Sequence, residues 1–345
     1  MKVKLLPIAV AGVALSGAAV ADVSIYGKIN MTYNALEREA ENTLQDNYDL
    51  NSNNSRFGIE AKTKITDTLN AIAKLEWAVD VDGDTSDLSQ RNQYVGLQGN
   101  FGTLLGGRHD TPLKLAEGKI DRFNDLPYGD IQNVFVGQNR ESNIVMYRTP
   151  SFGGFSAAVA AIPGSDSGKD GVKDQDDGPA DYVSASVNFT SGNLALALAY
   201  DDDILGSDTL RAVAEYKIGD FGFGAMYQDA EEHDDGDGIS RIRGPLSDLA
   251  SQTGLKFEEQ EGFLISADWT LNKLVFKVQY AYAESDAANN LGTAETTQWI
   301  GGVDYNLAKS TTLLAYYANI ETDAGDFNVD DVEWNTFGVG MIYKF

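Results

Sequence analysis

Lysine and arginine occupy alternate positions along stretches that otherwise read as apolar. Lys28, Arg56, Lys62, Lys74, Arg148, Arg211, Lys217 and Lys277 each sit between residues such as Ile, Phe, Val and Ala. In an extended chain successive side chains face opposite ways, so these cations share a face that needs water while the other face is buried. A row of fixed charge along a watered surface can steer ions, and rings of charge tune selectivity. For Lys217 and Lys277 a generic polar interior is the simpler account, whereas Lys28, Arg56 and Arg148 read as a functional row. Other chemistry finds little support. The chain has no cysteine, which excludes thiolate metal sites and disulfides, and its two histidines, His109 and His233, have no serine motif beside them to build a hydrolase triad. Asp201 to Asp203 and the run Asp234, Asp235, Asp237 lack the EF-hand spacing, so solvated loops explain them better than a discrete metal site. Gly222 and Gly224, and Gly338 and Gly340, alternate with apolar residues instead of opening a helix, so they do not form a phosphate loop.

The elements that must carry the basic row are strands. In the first, Val23, Ile25, Gly27, Ile29, Met31, Tyr33 and Ala35 oppose Ser24, Tyr26, Lys28, Asn30, Thr32 and Asn34. In the second, Phe57, Ile59, Ala61, Thr63 and Ile65 oppose Arg56, Gly58, Glu60, Lys62 and Lys64. In the last, Phe337, Val339, Met341, Tyr343 and the terminal Phe345 form one stripe. Period two predicts further strands near 68–80, 91–99, 103–110, 142–149, 154–162, 181–189, 194–201, 209–218, 221–230, 262–271, 274–284, 295–307, 311–321 and 332–345, sixteen in all. Short turns between them alternate with long connections at 37–54, 81–90, 111–141, 163–180, 202–208, 231–261, 285–294 and 322–331.

Residues 1–21 read as a secretory signal: Lys2 and Lys4, an apolar run from Leu5 to Val20, and an Ala19-Val20-Ala21 cleavage pattern. Beyond it no run approaches the roughly 18 apolar residues of a membrane helix. The chain carries 52 acidic against 26 basic residues, a net charge of −26, which argues against nucleic acid as a partner. Only helices and closed barrels satisfy the backbone inside lipid, and a barrel hides its signal by alternating lipid-facing with lumen-facing residues. Short turns on one rim, long loops on the other, and aromatic residues at strand ends such as Tyr33, Trp77, Phe155, Tyr216, Phe221, Trp269, Trp299 and Tyr305 therefore predict an all-β, 16-stranded antiparallel transmembrane barrel. A soluble sandwich would not require that alternation of loop lengths.

Several motifs, in order, carry a resemblance. They are Tyr26-Gly27-Lys28, Ser55-Arg56-Phe57-Gly58, Arg91 with Tyr94-Val95-Gly96-Leu97, Gly107-Arg108, Asn143 with Tyr147-Arg148, the turn Pro150-Ser151-Phe152-Gly153-Gly154-Phe155, and Phe345. Over residues 22–345 the chain resembles the general porins of Gram-negative bacteria. The resemblance implies a homotrimer in the outer membrane, among lipid and lipopolysaccharide, that passes small hydrophilic solutes and ions without a cofactor or enzymatic step. It implies an inward-folded third loop, here the constriction loop 111–141, and a basic wall of Lys28, Arg56, Arg91, Arg140 and Arg148 facing carboxylates on that loop: Glu117, Asp121, Asp125, Asp130, with Glu141 at its end. The loop departs from the enterobacterial pattern, with Tyr128 where a glutamate often stands, so which acid lines the narrowest point is left open. Phe345 is the expected signal for the outer-membrane assembly machinery.

Residues 111–141 hold five acids against four bases, while 231–261 hold nine against three. A negative mouth concentrates cations, so the composition predicts a mild cation preference. The acidic loop 81–90, with Asp82, Asp84 and Asp87, is the expected latch between subunits. Two alternatives stay open: a substrate-selective porin for saccharide or peptide, with Tyr26 and Tyr128 as stacking platforms, and a surface adhesin or phage receptor with an incidental pore.

Overall fold

In the computed structural model the alternating segments all form strands. The structure describes residues 21–40, 43–83, 88–164, 178–233, 238–327 and 329–345. The signal segment before Ala21, Asp84 and Asp87 of the expected latch, and the run 234–237 lie outside them. Among the described residues the first strands are β1 (Asp22–Ala40), β2 (Thr43–Ser52), β3 (Arg56–Thr66), β4 (Leu69–Ala78), β5 (Ser89–Gly99) and β6 (Gly102–Asp110). After a short helix α1 (Pro112–Ala116) come β7 (Arg140–Arg148), β8 (Phe155–Ile162), β9 (Tyr182–Ser191), β10 (Leu194–Asp202), β11 (Ser207–Ile218) and β12 (Phe221–Glu232). A second helix α2 (Gly244–Thr253) precedes β13 (Phe257–Leu271), β14 (Leu274–Ala287), β15 (Thr293–Ala308), β16 (Thr311–Asp323) and β17 (Val332–Lys344).

Apart from β2 and β3, consecutive strands pair antiparallel, and β17 returns to β1 with Lys28 opposite Lys344 and Ala35 opposite Phe337. The sheet is therefore closed. β2 and β3 both pair with β1, in succession along its length, so they are two halves of one interrupted strand and the barrel has sixteen positions. The expected long loop at 37–54 is accordingly replaced by the outer half of a hairpin. Its residues mix polar and apolar side chains on both faces, which hides the strand from a reading based on alternation.

The outward face is apolar and exposed, as a lipid-facing surface must be. Phe337, Val339, Met341, Tyr343 and Phe345 of the last strand all lie on it. Aromatic residues form two rows. Phe221, Trp269 and Phe276 stack near the short turns, with centroids 5.9 and 5.5 Å apart. Phe263 and Tyr282, 5.9 Å apart, and Tyr280 and Trp299, 4.2 Å apart, lie toward the other rim. Beyond that second row comes a belt of directly opposed carboxylates: Asp229 faces Glu261, Glu261 faces Glu284, Glu284 faces Glu295, and Glu295 faces Asp323.

The seam is closed by the chain's last residue. Gly27 N donates to Phe345 O at 2.9 Å and Phe345 N donates to Gly27 O at 3.1 Å. The phenylalanine ring lies over Gly27 so closely that a Cβ there would come within 2.2 Å of it. Glycine at 27 gives the ring its seat.

Candidate functional site

The inward faces of the strands do not simply meet water, because the segment after β6 lies against them. Thr111 accepts a hydrogen bond from Lys114 N and caps α1, whose Pro112 sits in the first turn where no N–H is needed. The chain then runs along the inner wall. Ser266 donates to Ile120 O at 2.6 Å, Arg122 N donates to Gln279 at 3.0 Å, and Val136 N donates to Gln260 at 3.1 Å. Phe123 and Leu126 pack with Ile300, Leu314 and Tyr316, and Ile120 and Phe135 with Val213, Met226 and Leu264. Alternating small and apolar inward residues on β11–β16 thus give the loop an apolar bed. Arg211, expected to be solvated, is instead wholly buried: it bonds Gln228 and donates to Leu113 O and Val136 O. The two limbs of the loop are stapled to β11 by one guanidinium.

The four loop carboxylates have different fates. Asp125 reaches the opposite wall, with one oxygen 2.6 Å from Lys28 Nζ and 3.0 Å from Arg56. Burial alone would raise its pKa, but Lys28 and Arg56 hold it below the usual carboxylate range. Glu117, Asp121 and Asp130 point into the loop itself. Asp121 accepts from Phe123 N and Ile131 N, and Asp130 from Asp125 N and Gln132 N, so both fold the turn around 121–132. Burial, reinforced by Asp130, pushes Glu117 up to about 7. Burial and its acidic neighbours Asp130 and Glu117 raise Asp121 well above the ordinary value, and burial also raises Asp130. Tyr128 packs edge-on against Trp334 instead of lining a charged opening.

The wall facing Asp125 is built on β1 and β3–β7. Arg91 Nε lies 2.9 Å from Glu76, a carboxylate that Lys74 and the Tyr26 hydroxyl also approach. The sequence could not settle the face of Arg91 because the β4–β5 register shifts between Leu75 and Trp77, a bulge that turns Arg91 inward. A second shift, between Gly107 and His109 in the β6–β7 pairing, sits beside Asp110 and Arg140. Arg140 belongs to β7, not to the loop, and pairs with Asp110 at 2.9 Å; Lys114 lies 3.3 Å from the same carboxylate. Arg148 is 3.1 Å from His109 Nε2, while His109 Nδ1 bonds a backbone oxygen, so that histidine is engaged in the wall. Glu76 was legible, since it shares the face of Lys74; Asp110 was hidden by the bulge.

Three carboxylates therefore stand between paired cations: Asp125 between Lys28 and Arg56, Glu76 between Lys74 and Arg91, Asp110 between Lys114 and Arg140. Above them α2 folds into the mouth. Gly244 carries the positive φ that lets the chain approach Asn133, and Leu246 and Leu249 pack with Leu36, Ile320 and Val332. Trp334 donates to Asp248, which also faces Arg38. Pro245, apolar residues at helical spacing and a terminal Gly254 were its sequence signals, lost inside an acidic segment.

A closed sixteen-position antiparallel barrel with an apolar outer band, short turns on one rim and a long segment along its inner wall defines an outer-membrane channel protein. The profile of the Gram-negative porin family matches residues 8–325, and the chain belongs to that family. It is similar to a monosaccharide porin of Halomonas sp, 27% identical over the full length of both chains. Among solved structures it resembles the anion-selective porin from Comamonas acidovorans, with TM-score 0.73, 20% identity and coverage of 94% of this chain and 100% of that one. It also resembles the trimer form of OmpT from Vibrio cholerae, with TM-score 0.66, 17% identity and coverage of 94% and 99%. The chain is thus a Gram-negative outer-membrane porin.

Proposed function

We propose that the chain forms a water-filled passage for passive diffusion of small hydrophilic solutes and ions, narrowed by loop 111–141 and lined at the narrowing by Lys28, Arg56, Arg91, Arg140 and Arg148. Of the loop acids, Asp125 is the one that meets this wall. Glu117, Asp121 and Asp130 serve to fold the loop. The observation that carries the reading is the surplus of cations around Asp125, Glu76 and Asp110: six of them against these three carboxylates and Glu60, which shares Lys74, a surplus that Arg148 increases. The acidic mouth favours cations, as the sequence suggests, but fixed charge acts most strongly where solutes pass within a Debye length of it, about 10 Å at 0.1 M salt. The narrowing then selects anions. Reversal potentials across a planar bilayer in a KCl gradient test this: the expected sign is that of chloride preference, and potassium preference refutes it.

Residues 1–21 act as the export signal in this reading, 22–345 as the barrel, and Phe345 as the residue read by the assembly machinery. The working form is a homotrimer in lipid and lipopolysaccharide, with loop 81–90 latching neighbours. Asp82 of that loop accepts from Ser52 N of its own barrel, so Asp84 and Asp87 carry the latch, and unchanged trimer stability after neutralising those two would remove it.

A further inference from the structure

The interruption between β2 and β3 places an unusual set of side chains beside the narrowing. Asn53 N bonds Asn30 O, Asn54 takes a positive φ, and the strand resumes at Arg56. Bulges of this kind re-aim side chains next to functional sites. Asn51, Asn53 and Asn54 face Asp82, Pro127 and Gln132 across a pocket of about 430 Å³ that reaches Asp125. Along the wall it lies beyond Lys28 and Arg56 in the direction of the β1–β2 hairpin, since Ser52 pairs with Met31 where Arg56 pairs with Lys28, and none of its lining residues is a lysine or arginine.

The polar groups there suit hydroxyls. An amide side chain presents a carbonyl acceptor and an NH₂ donor, so several around one cavity match a molecule whose every substituent both donates and accepts. Asn51 Oδ1 is taken by Asn34, and Asn54 Oδ1 by Arg91, which leaves their NH₂ groups as donors. The Gln132 side chain makes no hydrogen bond among the described residues. All three lining carboxylates are engaged: Asp125 by two cations, Asp82 by Ser52 N, and Asp80 by a partner of its own. That arrangement gives no reward to an anion and no open carboxylate cluster to a metal ion. Pro127 adds an apolar surface for the C–H face of a ring, and the volume lies in the range of small-ligand pockets.

We infer that this pocket binds one uncharged hexose-sized sugar before it enters the narrowing. The inference rests on the channel reading above and names a solute class for it. Anionic solutes pass by the basic wall, and neutral polyols use the pocket as a last stop outside it.

The test is single-channel conductance of the full-length protein in planar bilayers with rising D-glucose, and with D-glucuronate as the charged counterpart. Conductance should fall saturably with glucose, more weakly with glucuronate. In the Asn51→Ala, Gln132→Ala double variant, the half-saturating glucose concentration should rise about tenfold, the loss of one or two hydrogen bonds. Its sugar-free conductance should match that of the parent, which also reports that the barrel has formed. If the double variant yields no channels, Gln132→Ala alone should show a smaller rise in the same direction. A linear, non-saturating fall in the parent, or the same half-saturation in the variants, overturns the pocket while leaving the channel intact. Absence of ion conductance from the parent overturns the channel reading itself.

Discussion

Replacing Arg211 by methionine should loosen loop 111–141 without disturbing the barrel wall. The guanidinium holds Leu113 O at 3.4 Å, Val136 O at 3.2 Å and Gln228 Oε1 at 2.6 Å. Val136 O keeps a second donor, Gln228 Nε2 at 3.2 Å, but Leu113 O and Gln228 Oε1 are left without partners. A buried acceptor so orphaned costs about 1–3 kcal/mol, hence about 2–6 kcal/mol for two. Burying a charge is itself unfavourable, and hydrophobic replacements of buried ions are often neutral or stabilising. Here the cation also offsets the buried Glu117 and Asp201, each of which loses that compensation without it, so destabilisation wins. Even about 2 kcal/mol raises the detached fraction roughly thirtyfold. Amide hydrogen exchange in detergent should therefore accelerate by that factor across 113–137 and stay unchanged in β11 and β12, and single channels should flicker to larger conductance. Arg211→Lys, which keeps charge but loses the planar fork, should fall between. Parent-like exchange and quiet channels in Arg211→Met would refute the staple.

Three further outcomes follow from the same geometry. The Glu117 pKa, raised to about 7, means the folded loop binds this proton more tightly than an unfolded one does; its contribution to loop stability is full below about 4.5 and is lost as pH rises through 7. Glu117→Gln should flatten the pH dependence of loop exchange between those limits, and an unaltered profile would discount it. Gly27→Val should displace the Phe345 ring, whose seat a Cβ would enter at 2.2 Å, and lower the yield of assembled barrel several-fold by heat-modifiability on gels; normal yield would show the seat to be dispensable. The opposed carboxylates from Asp229 to Asp323 repel across each strand pair, so raising monovalent salt from about 10 to 150 mM should raise the melting temperature by a few degrees, because the Debye length falls from about 30 to 8 Å. Glu284→Gln should reduce that salt response.

The barrel was legible because a lipid-facing strand must alternate, and Val23 to Ala35 and Phe337 to Phe345 do so, with the inward Ile342 the one large apolar residue on the other face of the second stretch. What escaped was whatever broke the period. Residues 43–52 extend a hairpin beyond the membrane, where no apolar stripe is needed. Arg91 and Asp110 sit beside bulges, and a single inserted residue reverses every inference from parity. The acids of loop 111–141 were countable, but their directions were not: the sequence gives no sign that Asp125 points at Lys28 while Asp121 and Asp130 turn back to cap their own chain. Arg211 reads as one more lumenal cation until the loop carbonyls above it are located.

Phe345 pairs with Gly27, which lies in the first strand. The pairing that closes the cylinder thus joins residues separated by nearly the whole sequence, the kind of contact that forms slowly because so much chain must be ordered first. Until it forms, β1 and β17 are both raw edges, able to recruit any other strand that drifts near. The unfinished sheet is then a hazard to itself for the length of its own manufacture. A protein built this way needs its final edge guarded from export until the first strand arrives to displace the guard.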